Sequence, residues 1–147
     1  MDDATNVLQA LRLLTNSATD SAGRRQADKW LQAWRLDSKS WRICLMLLDP
    51  FLPLGLDSDR FFFASALRFA CYKDNAIIDP AHIASVLDQL SLALLANVCY
   101  GAMAVVNQLT SSLSALAVRC QASDAGGFER RGLHGMEMHG GEQNMVR

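Results

Sequence analysis

Apolar residues recur along this chain at steps of three and four, in six separate runs, and nowhere alternate for long. That period turns a single stripe of each segment toward a core, which is what an amphipathic α-helix needs and a half-buried strand does not. The stripes are Ala4, Val7, Leu8, Leu11 and Leu14, then Ala27, Trp30, Leu31 and Trp34, then Trp41, Cys44, Leu45 and Leu48. They continue with Phe62, Phe63, Ala66, Leu67 and Ala70, then Ile83, Val86, Leu87, Leu90 and Leu94. The last holds Val105, Val106, Leu109, Leu113 and Leu116. The β-branched residues are scattered, not grouped in short runs, so strands find no support. The fold class read from this pattern is all-α.

Punctuation between the stripes is local and specific. Thr15-Asn16-Ser17 ends the first helix, and Asp20 or Ser21 can cap the second. Asp37 or Ser38 can cap the third, which Asp49-Pro50 closes because a residue before proline is driven out of the helical region. Asp57-Ser58-Asp59 offers a cap and negative charge where the helix macrodipole favours it. Asp79-Pro80 pairs a capping side chain with proline at the first helical position. The short links make three consecutive antiparallel helical hairpins, beginning near residues 3, 38 and 79. A period of about 35 to 40 residues is that of HEAT and armadillo repeats, which stack because one hairpin cannot cover its own core. The expectation is a helical solenoid of about three hairpins over residues 1–120. After Cys120 the composition shifts to scattered charge and repeated glycine, so residues 121–147 read as a disordered tail.

Composition narrows the function classes. Fourteen Lys and Arg stand against fifteen Asp and Glu, a net charge of −1. Nucleic-acid binding needs a clustered positive field, and none is expected. Cys44, Cys71, Cys99 and Cys120 lie far apart, with no CxxC pair at zinc spacing, and read as reduced core residues of an intracellular protein. His134, Glu137 and His139 lie among glycines and lack the helical H-E-x-x-H spacing of a metal site. No phosphate-binding loop, dinucleotide fingerprint or nucleophile elbow occurs, so no enzyme and no cofactor is expected. The acidic Met1-Asp2-Asp3-Ala4 start lacks the basic residues of a secretory signal. Between Asp88 and Arg119 there is no charge at all. The window from Leu90 to Leu109 nevertheless holds Ser91, Asn97, Gly101, Asn107 and Gln108, so two buried helices with a turn near Asn97 to Gly101 are preferred over a membrane span.

Several segments occur in a recognisable order. Ala27-Asp28-Lys29-Trp30-Leu31-Gln32 is followed by Trp34, by Trp41 and by Leu47-Leu48. Phe62-Phe63-Ala64-Ser65-Ala66-Leu67-Arg68 comes next, and Val106-Asn107-Gln108-Leu109 leads on to Ala115-Leu116-Ala117. This order resembles the amino-terminal region of importin-β (karyopherin-β) nuclear transport receptors, most closely the transportin-SR and importin-13-like branch. It covers roughly residues 4 to 119. The chain departs from the family in the proline-rich Pro50 to Gly55 connection, in the early position of Arg68, and in Ser111-Ser112, which interrupts an alanine-rich run. The segment after Cys120 does not resemble the family.

The resemblance implies HEAT repeats, of which a family member has roughly twenty and this chain about three. It implies protein import into the nucleus and shuttling between nucleus and cytoplasm. The implied partners are the small GTPase Ran in its GTP form, protein cargo in the full-length receptor, and nucleoporins. In stacked repeats the second helix of each hairpin lines the concave surface that takes partners. Asp28, Gln32 and Arg35 form one polar stripe there, Ser65, Arg68 and Tyr72 another, and Gln108, Ser112 and Arg119 extend it. The residues expected to contact Ran are Asp28, Gln32, Arg35, Ser65, Arg68 and Gln108. The tryptophans and the Phe61-Phe62-Phe63 run read as core packing, with one ring left at the surface. The alternative reading is a generic helical-repeat scaffold that binds proteins without a GTPase.

Overall fold

The first helix ends as its sequence predicts. The Thr15 hydroxyl donates to the Leu11 and Arg12 carbonyls, and Asn16 Oδ1 accepts the Ala18 amide at 2.9 Å in an Asx turn. Asp20 then caps the second helix, its Oδ1 accepting the Gly23 amide at 2.8 Å. The computed structural model describes residues 3–51 and 57–122. Its helices are α1 (Asp3–Thr15), α2 (Ser21–Trp34), α3 (Ser40–Leu47), α4 (Asp57–Cys71), α5 (Ile83–Tyr100) and α6 (residues 103–122). The protein is all-helical, and no strand occurs among the described residues. The glycine-rich segment expected to form a tail lies outside the described residues from 123 onward, and so do His134, Glu137 and His139.

Two starts differ from the sequence reading. Neither Asp37 nor Ser38 caps α3, which begins later at Ser40 with no side-chain cap. Asp37 Oδ1 instead accepts the Lys39 amide, and the buried Ser40 hydroxyl donates to the Asp37 and Arg35 carbonyls. An Asx turn has used the carboxylate that a cap would need. Asp79 does cap, accepting the Ala81 amide, but it caps the 3-10 turn Pro80–His82, and that turn runs on into α5.

The helices pair in order and the pairs stack. α1 packs on α2 and α3 on α4, while α1 also touches α3 and α3 touches α5. The second helices are joined by side chains. Trp34 of α2 stacks on Phe62 of α4 at 6.4 Å, and the Arg35 guanidinium lies 4.5 Å above the Phe69 ring. Arg68 of α4 donates to Gln108 of α6 at 3.4 Å. Arg119 of α6 donates to the carbonyls of Cys71 and Ile78, at 3.1 and 3.0 Å. Thus α1, α3 and α5 form one layer and α2, α4 and α6 the other. Between the layers the core runs through Val7, Leu31, Leu47, Phe63, Leu90 and Leu109, each no more than 1% exposed.

Two polar groups are built into this core. Asp59, expected as charge at a helix start, is 2% exposed, and its carboxylate lies 3.5 Å from Arg12 of α1. Asn97 of α5 is fully buried and donates to the Leu48 carbonyl at 3.0 Å and to the Ala93 carbonyl at 2.8 Å. The Leu48 carbonyl belongs to the C-cap of α3, where the helix leaves it without an intrahelical donor. Asn97 therefore ties the third pair to the second.

Three expectations need correction. Trp30, assigned to a core stripe, is 40% exposed. Cys99, assigned to the core with the other cysteines, is exposed, and Cys120 is half-buried. The uncharged stretch is also not fully buried: Leu92, Leu95, Val98, Tyr100 and Met103 of α5 and the start of α6 all face outward. The helical stretch Pro80–Tyr100 is long and apolar enough to cross a membrane by length and composition. The chain turns back at Gly101 and Ala102 into α6.

Candidate partner-binding surface

The polar side of α2, α4 and α6 carries the predicted contact residues. On α2, Asp28 and Gln32 are exposed and linked by a 3.5 Å hydrogen bond from the Gln32 amide. Arg35 follows one turn later, half-buried, with its guanidinium over Phe69. Its Nε is buried and makes no hydrogen bond. Stacking on an aromatic face holds the guanidinium plane while leaving its outer N–H groups free to donate.

On α4, Ser65 and Arg68 are half-buried one turn apart. Arg68 Nε donates to the Tyr72 hydroxyl at 3.1 Å, and Nη1 donates to Gln108 Oε1 on α6. The structure therefore brings Arg35, Arg68 and Gln108 into one row across three helices. Asp28 and Gln32 lie further back along α2, and Ser65 one turn back along α4. Both arginines are held by uncharged groups. A carboxylate or phosphate approaching the row could replace those uncharged acceptors with an anionic one, to which a planar guanidinium can bind through two parallel N–H groups.

Two residues proposed to extend this row do something else. Ser112 is fully buried, donating to the Gln108 carbonyl and hydrogen-bonded to the Cys71 thiol. Arg119 has its fork on the carbonyls of Cys71, the last residue of α4, and of Ile78 in the α4–α5 link. Both hold α6 in place. Tyr72, placed on the polar stripe of α4 by its spacing, accepts from Arg68, whereas Phe69, which lies under Arg35, carries no separate sequence signal because a ring on a helical stripe reads as core.

A second feature lies between α3 and α5 on the opposite layer. A groove of about 490 Å³ there is lined by Leu45, Met46, Phe51, Leu92, Ala93 and Ala96, with Arg42 and Asp49 at its margin. The ring of Phe51 packs 4.8 Å from that of Tyr100 beside it. Among the described residues, no group of three His, Cys, Asp or Glu side chains is placed to hold a metal ion.

The cysteines divide by burial. Burial pushes the Cys44 thiol well above its ordinary range. It pushes Cys71 up to about 12, against the opposing hydrogen bond from Ser112 and the charge of Arg119. The thiolate is the reacting form, so both should be inert in the native protein. Mass-resolved maleimide labelling at neutral pH is expected to modify Cys99 first, with Cys44 and Cys71 reacting only on the timescale of unfolding. Native-state labelling of Cys44 as fast as Cys99 would contradict the packing described.

Comparisons with protein-family models, with curated proteins and with solved structures gave no match to the chain.

Proposed function

We propose that this chain is a protein-binding module of the HEAT-repeat type, the amino-terminal region of an importin-β-like transport receptor, and that it binds Ran in its GTP form. The order of the Trp-Leu, Phe-Phe-Ala and Val-x-Gln-Leu segments supports the family. The observation that carries the binding role is the row formed by Arg35, Arg68 and Gln108 on successive second helices. Such a row presents donors at a spacing set by helix stacking, and it gains from each further pair added to the stack. Asp28 at its edge supplies the opposite charge, so a partner with paired acidic and basic groups fits better than a uniformly charged one. Import of cargo belongs to the longer receptor that the resemblance implies.

The test is capture of the protein by immobilised Ran locked in its GTP form, with the GDP form beside it. Preferential capture by the GTP form is expected. Arg68→Glu should weaken it by about tenfold or more, since it reverses a central charge and breaks the link to α6. Equal capture by both nucleotide forms, or none, would defeat the GTPase reading. Capture of other proteins through the same residues would then support the scaffold reading. The apolar stretch Pro80–Tyr100 keeps membrane association as a separate reading. Retention in membranes after carbonate extraction would favour it over either binding role.

A further inference from the structure

The core leaves one stripe of α4 unused. Phe61, Ser65, Arg68 and Tyr72, which stands directly after the helix, follow at steps of four, three and four, and this sets them on one face. Phe63, Leu67 and Ala70 fill the opposite, inner face and are buried. Phe61 and Tyr72 are 41% and 43% exposed. They stand at the two ends of a line about 16 Å long, given the rise of a helix. Two aromatic rings therefore lie in solvent on a helix whose apolar work is done on its other side.

A single charge stands between the rings: among residues 61–72 the only Lys, Arg, Asp or Glu is Arg68. Its Nε and Nη1 donate to Tyr72 and Gln108, its Nη2 makes no hydrogen bond, and it has no carboxylate partner among the described residues. Arg35 over Phe69 lacks a carboxylate partner too. On the other flank α6 carries no charge before Arg119, whose fork is engaged on carbonyls. The one acid of α2 is Asp28, about two turns back from Arg35. The surface thus offers two unpaired guanidiniums among aromatic groups, and its complement is a partner that sets carboxylates between apolar side chains.

We infer that this stripe is the docking site of an acidic amphipathic helix, which lays apolar side chains on Phe61 and Tyr72 and a carboxylate on Arg68 between them. The stripe repeats at steps of three and four over three turns, and a partner helix has the same period. It also offers side chains only, because backbone groups within a helix are already paired. An extended peptide would give up the hydration of its own N–H and C=O groups there and find no partner for them, whereas a helix satisfies them internally. Aromatic rings and arginine are the side chains on which binding energy concentrates at interfaces. The inference rests on the binding role proposed for this row, and not on the partner being a GTPase.

The test uses the full chain labelled with nitrogen-15 and an acetylated, amidated, alanine-based peptide of about 18 residues, long enough to hold a helix in water. It carries two leucines about three turns apart, with glutamates between them on the same face. One control peptide replaces the glutamates by lysine, and another spreads the same residues around all sides of the helix. Saturable shifts are expected along Phe61–Tyr72 and at the Arg68 Nε–H, with weaker binding by both controls and at raised salt. Phe61→Ala, an exposed truncation, should weaken binding by about fivefold to tenfold. Arg68→Gln should weaken it by a similar factor and abolish the preference for glutamate over lysine. Shifts confined to other helices, equal binding of the rearranged peptide, or unchanged affinity in Phe61→Ala with an intact spectrum would each overturn the inference. So would sedimentation showing that a second copy covers Phe61. Capture by Ran without peptide binding sinks the helix alone, and peptide binding without capture by Ran supports it while sinking the GTPase reading.

Discussion

Phe63→Ala is expected to remove about 3–5 kcal/mol of stability, the cost of emptying a fully enclosed aromatic site. Phe63 has no exposed surface and sits at the centre of the molecule, on the inner face of α4. Its ring meets Phe62 edge to face at 5.8 Å, and Phe62 in turn stacks on Trp34 of α2. Truncation therefore opens a cavity and weakens the ring chain that fixes α4 against α2. Core helices on both sides limit collapse, which places the effect high in the usual range. A domain of this size has about 5–15 kcal/mol in hand, so much of it would be lost. Urea unfolding should show a lowered midpoint at an unchanged slope. The row of Arg35 and Arg68 depends on the same helix pair, so partner capture should fall with stability. A loss below about 1 kcal/mol would mean that α4 is not the central helix.

Gly101→Ala is expected to destabilise the third pair by about 2–4 kcal/mol, a large effect for adding one methyl group. Backbone strain is not the reason, since Gly101 has an extended conformation any residue can adopt. The reason is close approach. A Cβ at this position would stand 2.5 Å from Asn97 Oδ1 and 2.9 Å from the Asn97 carbonyl oxygen. Relief requires movement of a fully buried side chain that holds the Leu48 and Ala93 carbonyls. Losing the bond to Leu48 leaves a buried C-cap carbonyl without a donor, which costs about 1–3 kcal/mol, whereas Ala93 keeps its helical donor. Thermal unfolding should move down by several degrees. Asn97→Ala alone should also destabilise, and the double variant should lose less than the sum of the two, because both changes break one contact. Full additivity would show that Gly101 and Asn97 act separately.

The row of Arg35, Arg68 and Gln108 was legible as a set of faces but not as a site. Helical spacing is enough to place Asp28, Gln32 and Arg35 on one side of α2, and Ser65, Arg68 and Tyr72 on one side of α4. Spacing within a helix cannot show how two helices slide and rotate against each other. That offset is what brings Arg68 to Gln108 and turns Ser112 inward. It also sends Arg119 to the Cys71 and Ile78 carbonyls, where it serves the fold.

The same limit explains the misplaced side chains. Trp30 and Cys99 lie on or beside apolar stripes, and a stripe about 100° wide has edges. Residues at an edge are covered only as far as a neighbouring helix reaches them, and here Trp30 is left 40% exposed and Cys99 exposed. Asp59 errs in the other direction. As sequence it belongs to an acidic helix start, yet α1 brings Arg12 within 3.5 Å and encloses it.

By itself the sequence determined the helices, most of their ends and the order in which they pair. These arise from interactions over three or four residues: a 3.6-residue period, an aspartate reaching the next free amide, a proline that cannot continue a turn. Only the tertiary structure decided which face of each helix is covered, and so which polar residues hold the fold and which remain for a partner. Asn97 shows the difference. Within its helix it is one polar residue in an uncharged run, and its role exists only because the end of α3 lies beside it with a carbonyl to fill.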